Sequence, residues 1–108
     1  MQDTTQGADE PDLPLAALRC QLLDLARERG HRCTARVAAA LADRAEADGK
    51  PRLQVAMLYF SAEIERLADD HPAARVLAQR GRDLAIELDD DEVVELYDEL
   101  VAELREPT

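Results

Sequence analysis

Apolar residues recur every three or four positions along most of the chain, which is the period of an amphipathic α-helix. No segment alternates apolar and polar residues for long enough to indicate a β-strand. No 34-residue self-similarity is visible, so the pattern does not predict a repeat protein. Five periodic segments are separated by only a few residues each. They predict an all-α fold, a single five-helix bundle of antiparallel hairpins.

The residues at the segment ends predict where the helices begin and end. The predicted helices cover about residues 13–29, 34–49 and 51–69, then a fourth segment that begins at Asp70 or His71, and a fifth that begins within residues 89–92. Gly30 and Gly49 can supply the left-handed conformation that commonly closes a helix. Thr34 is the predicted N-cap of the second helix, and Asp89 and Glu92 have the spacing of a capping box for the fifth.

The third predicted helix is apolar on two opposite sides. One side consists of Leu53, Ala56, Met57, Phe60, Ile64 and Leu67, and the other of Val55, Leu58, Tyr59 and Ala62. A helix that is apolar nearly all round packs against neighbours on every side, so we predict that helix 3 is central. In the fourth helix, Gly81 lies in the middle of the apolar stripe, and we expect another backbone to approach closely there.

The first predicted helix also carries two apolar stripes, although a peripheral helix needs only one. The main stripe consists of Leu15, Leu18, Leu22, Leu25 and Ala26. The second stripe and its flanking arginine consist of Leu13, Ala16, Cys20, Leu23 and Arg27. Exposed apolar stripes of this kind mark interfaces, so we predict that these residues bind a second copy of the chain in a homodimer.

Length and composition indicate one domain of 108 residues with a net charge of −11. The polar and acidic residues 1–11 are predicted to form a disordered tail, and residues 12–106 to form the bundle. No apolar run is long enough to cross a membrane, and the N-terminus lacks the basic and then apolar start of a signal peptide. We therefore predict a cytoplasmic protein that does not act at a membrane.

Charge is unevenly distributed along the chain. Residues 19–52 contain eight basic and five acidic residues, whereas residues 83–106 contain eleven acidic residues and one basic residue. Arg29, Arg32 and Arg36 surround the break after the first helix and are candidate contacts for a charged partner. Nucleic acid is an alternative partner, but a strongly acidic protein is not typical of that class. Arginines also favour the negative end of a helix dipole.

Few residues have the types and spacing of a metal or cofactor site. Cys20, His31 and Cys33 are three potential zinc ligands, but a structural zinc site needs four and usually contains closely spaced pairs. The acidic residues 89–92 lack the glycine and glutamate positions of a calcium-binding loop and are typical of a helix start. No cofactor or metal is predicted.

The sequence favours a protein–protein interaction module over an enzyme. No nucleophile motif or phosphate-binding glycine loop is present. We predict a small adaptor, regulator or assembly partner that self-associates. The alternative is a helical-bundle enzyme or ligand-binding protein with a site near Tyr59, Glu63 and His71. If Glu63 has no such role, we expect it to pair with an arginine at the rim of the core.

Overall fold

A computed structural model describes residues 15–105 of the chain. Within this range the protein forms five α-helices and no strand, which confirms the predicted all-α bundle of antiparallel hairpins. The helices are α1 (Leu15–Arg29), α2 (His31–Ala47), α3 (Pro51–Leu67), α4 (His71–Glu87) and α5 (Asp91–Arg105). The predicted acidic tail, residues 1–11, and the predicted interface residue Leu13 lie outside the described residues.

The turns after α2, α3 and α4 share one geometry and recur every 20 residues. Each contains a residue with positive φ: Gly49 at 70°, Asp69 at 66° and Asp89 at 60°. In each turn an N–H donates back across the helix end to a carbonyl five residues earlier, as from Lys50 to Ala45 at 2.8 Å. This pattern is the Schellman motif, which satisfies the last carbonyls of a helix. As a result α3, α4 and α5 begin at residues 51, 71 and 91.

The break between α1 and α2 is shorter than the sequence predicts. Gly30 alone interrupts the helix, with φ of 94°, and α2 begins at His31 rather than after Thr34. Thr34 lies inside the first turn of α2, where it is buried and its hydroxyl donates to the Gly30 carbonyl at 3.0 Å. The prediction that Thr34 is an N-cap is therefore wrong, because its hydroxyl bonds to the carbonyl four residues earlier instead.

Aspartate side chains cap α4 and α5. Asp70 Oδ1 accepts a hydrogen bond from the Ala73 N–H at 3.2 Å, which confirms Asp70 as the cap of α4. Asp90 Oδ1 accepts from the Val93 N–H at 3.3 Å. The predicted capping box of Asp89 and Glu92 is therefore wrong, because Asp89 adopts the left-handed conformation that ends α4 and the cap is Asp90, three residues before a valine.

Helix α3 is central, as predicted, and contacts all four other helices. Its two apolar sides belong to two separate clusters of buried residues. The first cluster joins α1, α2 and α3 and consists of Leu22, Ala35, Ala38, Ala42, Met57, Leu58, Phe60 and Ile64. The second joins α3, α4 and α5 and consists of Val55, Ala62, Ala74, Ala78, Ala85, Tyr97, Leu100 and Leu104. Helices of the same chain thus cover most of both sides of α3.

Gly81 makes room for a side chain and not for a backbone. A β-carbon at position 81 would overlap the Oη and Cζ atoms of Tyr97. The ring of Tyr97 is fully buried, and its hydroxyl donates to the Val55 carbonyl at 2.6 Å. The expected close approach therefore occurs, but it joins α4 to the aromatic ring of α5.

Candidate functional site

A groove crosses α3 between α1 and α5. Both of these helices pack on α3, and within the described chain they do not contact each other. The groove has a volume of about 510 Å³. Its lining consists of Ala16 and Arg19 of α1, Arg52, Val55, Ala56, Tyr59 and Phe60 of α3, Ala85 and Leu88 of α4, Asp90, and Val93 and Leu96 of α5. Only three of these twelve residues are charged, so the groove offers mainly apolar surface.

Tyr59 forms a rigid part of the groove floor. Its ring packs edge-on against Phe60 and Tyr97, with ring centroids 6.2 Å and 5.2 Å apart. Such edge-to-face pairs fix the orientation of the ring. Burial, and next the Glu63 carboxylate, raise the pKa of Tyr59 above its ordinary value of 10.0. The hydroxyl therefore stays protonated near neutral pH and presents one hydrogen-bond donor in an apolar floor.

A bidentate ion pair joins α1 to α3 beside the floor of the groove. Arg19 Nε and one terminal nitrogen donate to the two carboxylate oxygens of Glu63 at 3.0 Å and 2.8 Å. The hydrogen bond to Glu63 raises the pKa of Arg19. This geometry is the strongest form of a side-chain ion pair. It confirms the expectation that Glu63 pairs with an arginine, and it occupies both oxygens that Glu63 could use for acid–base chemistry.

The two walls of the groove differ in charge. On α5, Leu96 is 47% exposed and Val93 is half-buried. The carboxylates of Glu99 and Glu103 lie close enough to Tyr59 to contribute to its raised pKa. On α1, the wall consists of Ala16 and the paired Arg19. The α5 wall is therefore acidic, whereas the α1 wall is small and basic.

One residue of the predicted α1 interface, Ala16, belongs to this groove. Ala16, Cys20 and Arg27 are exposed, and Leu23 is half-buried. Ala16 lines the groove directly. Arg27 pairs with Asp24 in its own helix at 2.9 Å. The second stripe of α1 thus remains uncovered by the described helices, unlike the second side of α3.

The arginines around Gly30 form a partly neutralised surface. Arg29, Arg32 and Arg36 are all exposed at the α1–α2 break. A terminal nitrogen of Arg32 lies 3.7 Å from the carboxylate of Asp70. The surface is therefore a mixture of both charges rather than a purely cationic patch.

Tyr59, Glu63 and His71, the alternative site, are not gathered in one place. Tyr59 lines the groove and Glu63 pairs with Arg19 beside it. His71 does not line the groove, and its Nε2 lies 3.8 Å from the Asp69 carboxylate at the start of α4. Of the three residues, Tyr59 therefore lines the groove, whereas Glu63 lies beside it and His71 lies elsewhere.

The potential metal ligands of residues 15–105 do not form a site. Cys20, His31 and Cys33 are each exposed. No group of three or more histidine, cysteine or acidic side chains in this part of the chain is placed to hold a metal ion. None of the five described helices has the length and apolarity that crossing a membrane requires.

Glu65 carries a carboxylate in an unfavourable place on α3. Its Oε1 is buried and has no hydrogen-bond partner among the described residues. Burial, and next the Asp70 carboxylate, raise its pKa above the ordinary 4.5. The carboxyl group of Glu65 therefore binds its proton more tightly in the folded chain than in the unfolded chain. The contribution of Glu65 to stability is favourable at low pH and is lost as pH rises through the raised pKa.

We expect Glu65→Gln to stabilise the protein at pH 7 and to leave its stability unchanged at pH 4. The expected gain is about 0.5–1 kcal/mol, since partial exposure reduces the cost of the charge. Urea unfolding of both proteins at both pH values measures it. An equal difference at pH 4 and pH 7 would contradict the assignment of the effect to ionisation.

The groove can hold apolar groups by burial, with Tyr59 and the charged walls orienting them. Comparisons of the chain with protein-family models, with curated proteins and with solved structures find no match. The function is therefore inferred from the shape, lining and charge of the groove.

Proposed function

We propose that the protein is a protein–protein interaction module that binds a segment of another protein in the groove across α3. The main support is a groove of about 510 Å³ with mainly apolar lining on a chain whose net charge is −11. Apolar surface of this kind in a charged protein is typical of binding sites. The roles that suit such a module are adaptor, regulator or assembly partner, and a cytoplasmic location stays a prediction.

The arrangement of polar groups favours binding over catalysis. The lining residue Arg19 pairs with Glu63 beside the groove, and the lining residue Asp90 caps α5 through the Val93 N–H. The hydroxyl of Tyr59 has a pKa raised by burial and is a poor base or nucleophile near neutral pH. These groups are suited to positioning a bound segment.

Affinity capture with matched variants tests the proposal. Leu96→Gln removes an apolar contact from the groove wall, and Leu41→Gln removes one from α2, outside the groove. The two leucines have similar exposure, at 47% and 44%. We expect wild type and Leu41→Gln to retain the same bound protein from an extract of the native cells, and Leu96→Gln to lose it. Retention by all three variants, or by none, would contradict the groove as the docking surface.

A small apolar ligand is the second candidate for the groove. Its volume lies within the usual range of ligand pockets, about 300–1,000 Å³, and Tyr59 supplies a single orienting donor. This candidate retains part of the alternative predicted from Tyr59, Glu63 and His71. Native mass spectrometry of the protein purified from its own cells distinguishes a small ligand from a protein partner, since a small ligand adds a fixed small mass.

Self-association through α1 remains part of the proposal. The second stripe of α1 is exposed at Ala16 and Cys20, and a homodimer would cover it. We expect Leu23→Arg to halve the molar mass measured by light scattering without loss of helical circular dichroism. Ala17→Arg, an exposed change on another side of the same helix, serves as the control. A wild type that is already monomeric at high concentration would contradict this prediction.

Nucleic-acid binding through Arg29, Arg32 and Arg36 is not proposed. Arg32 already faces Asp70, and the chain as a whole is strongly acidic. Long-range repulsion of phosphate backbones opposes association with nucleic acid.

A further inference from the structure

We infer that the groove binds an amphipathic α-helix whose apolar face enters the groove and whose basic residues lie along the edge facing α5. This inference rests on the proposed function and specifies the partner. It is supported by the shape of the groove, the chemistry of its floor and the opposite charges of its walls.

The shape of the groove suits a helix. The N-terminal halves of α1, α3 and α5 all line the groove, as expected if these three helices run the same way in a bundle of antiparallel hairpins. An open channel therefore lies along α3 between two parallel walls. The floor extends from Arg52 to Phe60, about 12 Å at 1.5 Å per residue. That length accommodates two turns of a bound helix, with apolar side chains at positions i, i+3 or i+4, and i+7.

The α5 wall determines the charge of the partner. Helix α5 contains six acidic residues, and its one basic residue is Arg105 at the far end. Leu96 lines the groove, and Glu92 and Glu99 lie about one helical turn to either side of it on the same face. Both of these glutamates are exposed. A helix seated against Leu96 would therefore place its edge beside carboxylates, where lysine and arginine are favoured and acidic residues are repelled.

The chain itself does not supply a helix of this kind. Residues 1–14 contain four acidic residues and no basic ones, so they have the wrong charge for the α5 wall. A second copy has the same net charge of −11 and presents the same acidic α5. Charge complementarity thus favours a different protein as the source of the bound helix.

Three synthetic peptides test the inference by isothermal titration calorimetry on the full chain. The 18-residue peptides share one leucine stripe at helical spacing and carry lysine, glutamine or glutamate at the flanking positions. We expect the lysine peptide to bind at least tenfold more tightly than the glutamine peptide at low salt, with a smaller ratio at high salt. The glutamate peptide should bind more weakly than both. Leu96→Gln should weaken the lysine and glutamine peptides alike, and Leu41→Gln should weaken neither.

Two double variants that remove the same number of charges distinguish the effect of the carboxylates at the α5 wall from the effect of the net charge of the chain. Glu92→Gln/Glu99→Gln removes two carboxylates beside the groove, and Glu28→Gln/Asp83→Asn removes two exposed carboxylates elsewhere on the chain. We expect the first variant to reduce the preference for lysine over glutamine about fivefold to tenfold and the second to leave it nearly unchanged. Equal effects of the two variants would overturn the inference, because the preference would then come from net charge alone.

The outcomes also distinguish this inference from the proposed function. If no peptide binds, or if the glutamate peptide binds best, the basic helix is excluded, while the capture experiment with Leu96→Gln still decides whether the groove docks a protein. If Leu23→Arg both dissociates a dimer and increases peptide affinity, a second copy occupies the groove, and the inference of a different protein is overturned.

Discussion

Gly81→Ala is expected to lower the free energy of unfolding by about 3 kcal/mol, although alanine is normally the better helix former by about 1 kcal/mol. The added methyl group would overlap the ring of Tyr97. That ring has little freedom to move, since it is fully buried, packs edge-on against Tyr59 and donates to the Val55 carbonyl. Displacing it would also leave the buried Tyr97 hydroxyl without its acceptor. Urea unfolding measures the loss.

A double-mutant cycle identifies the Tyr97 ring as the cause. Tyr97→Leu destabilises the protein by itself, because it removes the ring and its hydrogen bond, but it empties the space beside position 81. In that background Gly81→Ala is expected to be neutral or to raise the free energy of unfolding by up to about 1 kcal/mol. An equal loss of unfolding free energy in both backgrounds would mean that the Tyr97 ring does not cause the destabilisation by Gly81→Ala.

Ala42→Leu is expected to destabilise the protein by about 3 kcal/mol, because α2 packs on α3 through very small side chains. Ala38 and Ala42 are both fully buried in the first cluster, against α3 residues that include Met57 and Leu58. Small side chains let the two helix axes approach closely. A leucine at position 42 would either force α2 away from α3 or adopt a strained rotamer. Thermal and urea unfolding measure the effect.

Ala40→Leu is the control for overpacking. Ala40 lies on the same helix, two residues earlier, but it is exposed. Both substitutions keep helix propensity nearly constant and add the same three carbons. We expect Ala40→Leu to change stability by no more than about 0.5 kcal/mol. A similar loss from both substitutions would show that the contact between α2 and α3 is looser than described.

Much of the fold can be predicted from local patterns in the sequence. The apolar period indicates five helices, and the two-sided pattern of α3 identifies it as the central helix. The pairing of Glu63 with an arginine follows from the rarity of isolated charges at the edge of a core. These predictions succeed because the period, the helix ends and the burial of charge depend on residues that are close in sequence or on general physical costs.

The predictions that are wrong or missing depend on three-dimensional geometry, which the sequence pattern does not contain. Asp89 and Asp90 are adjacent and chemically identical, and only the backbone angle decides that one ends α4 and the other caps α5. The 20-residue recurrence was missed because its signal is a positive φ at one glycine and two aspartates rather than a repeated motif. The partner of Gly81 is 16 positions away on another helix, so nothing near Gly81 identifies a ring as its neighbour.

The groove itself could be predicted only in part. The uncovered stripe of α1 marks one wall, and Ala16 belongs to both the prediction and the groove. The opposite wall was missed, because Leu96 looks like an isolated apolar residue on an acidic helix face. The groove exists because α1 and α5 both pack on α3 without meeting each other, and that placement is set by the turns rather than by either helix alone.

The two walls are anchored to the bundle very differently. On α5, Tyr97, Leu100 and Leu104 are buried in the second cluster. On α1, the buried side chains among the described residues are Leu22 and Ala26. At about 25 cal/mol for each Å² of apolar surface buried, α1 has less to lose by shifting outward. We therefore expect the α1 side of the groove to yield more readily than the α5 side when a larger side chain enters, with the Arg19–Glu63 pair as the main restraint on α1.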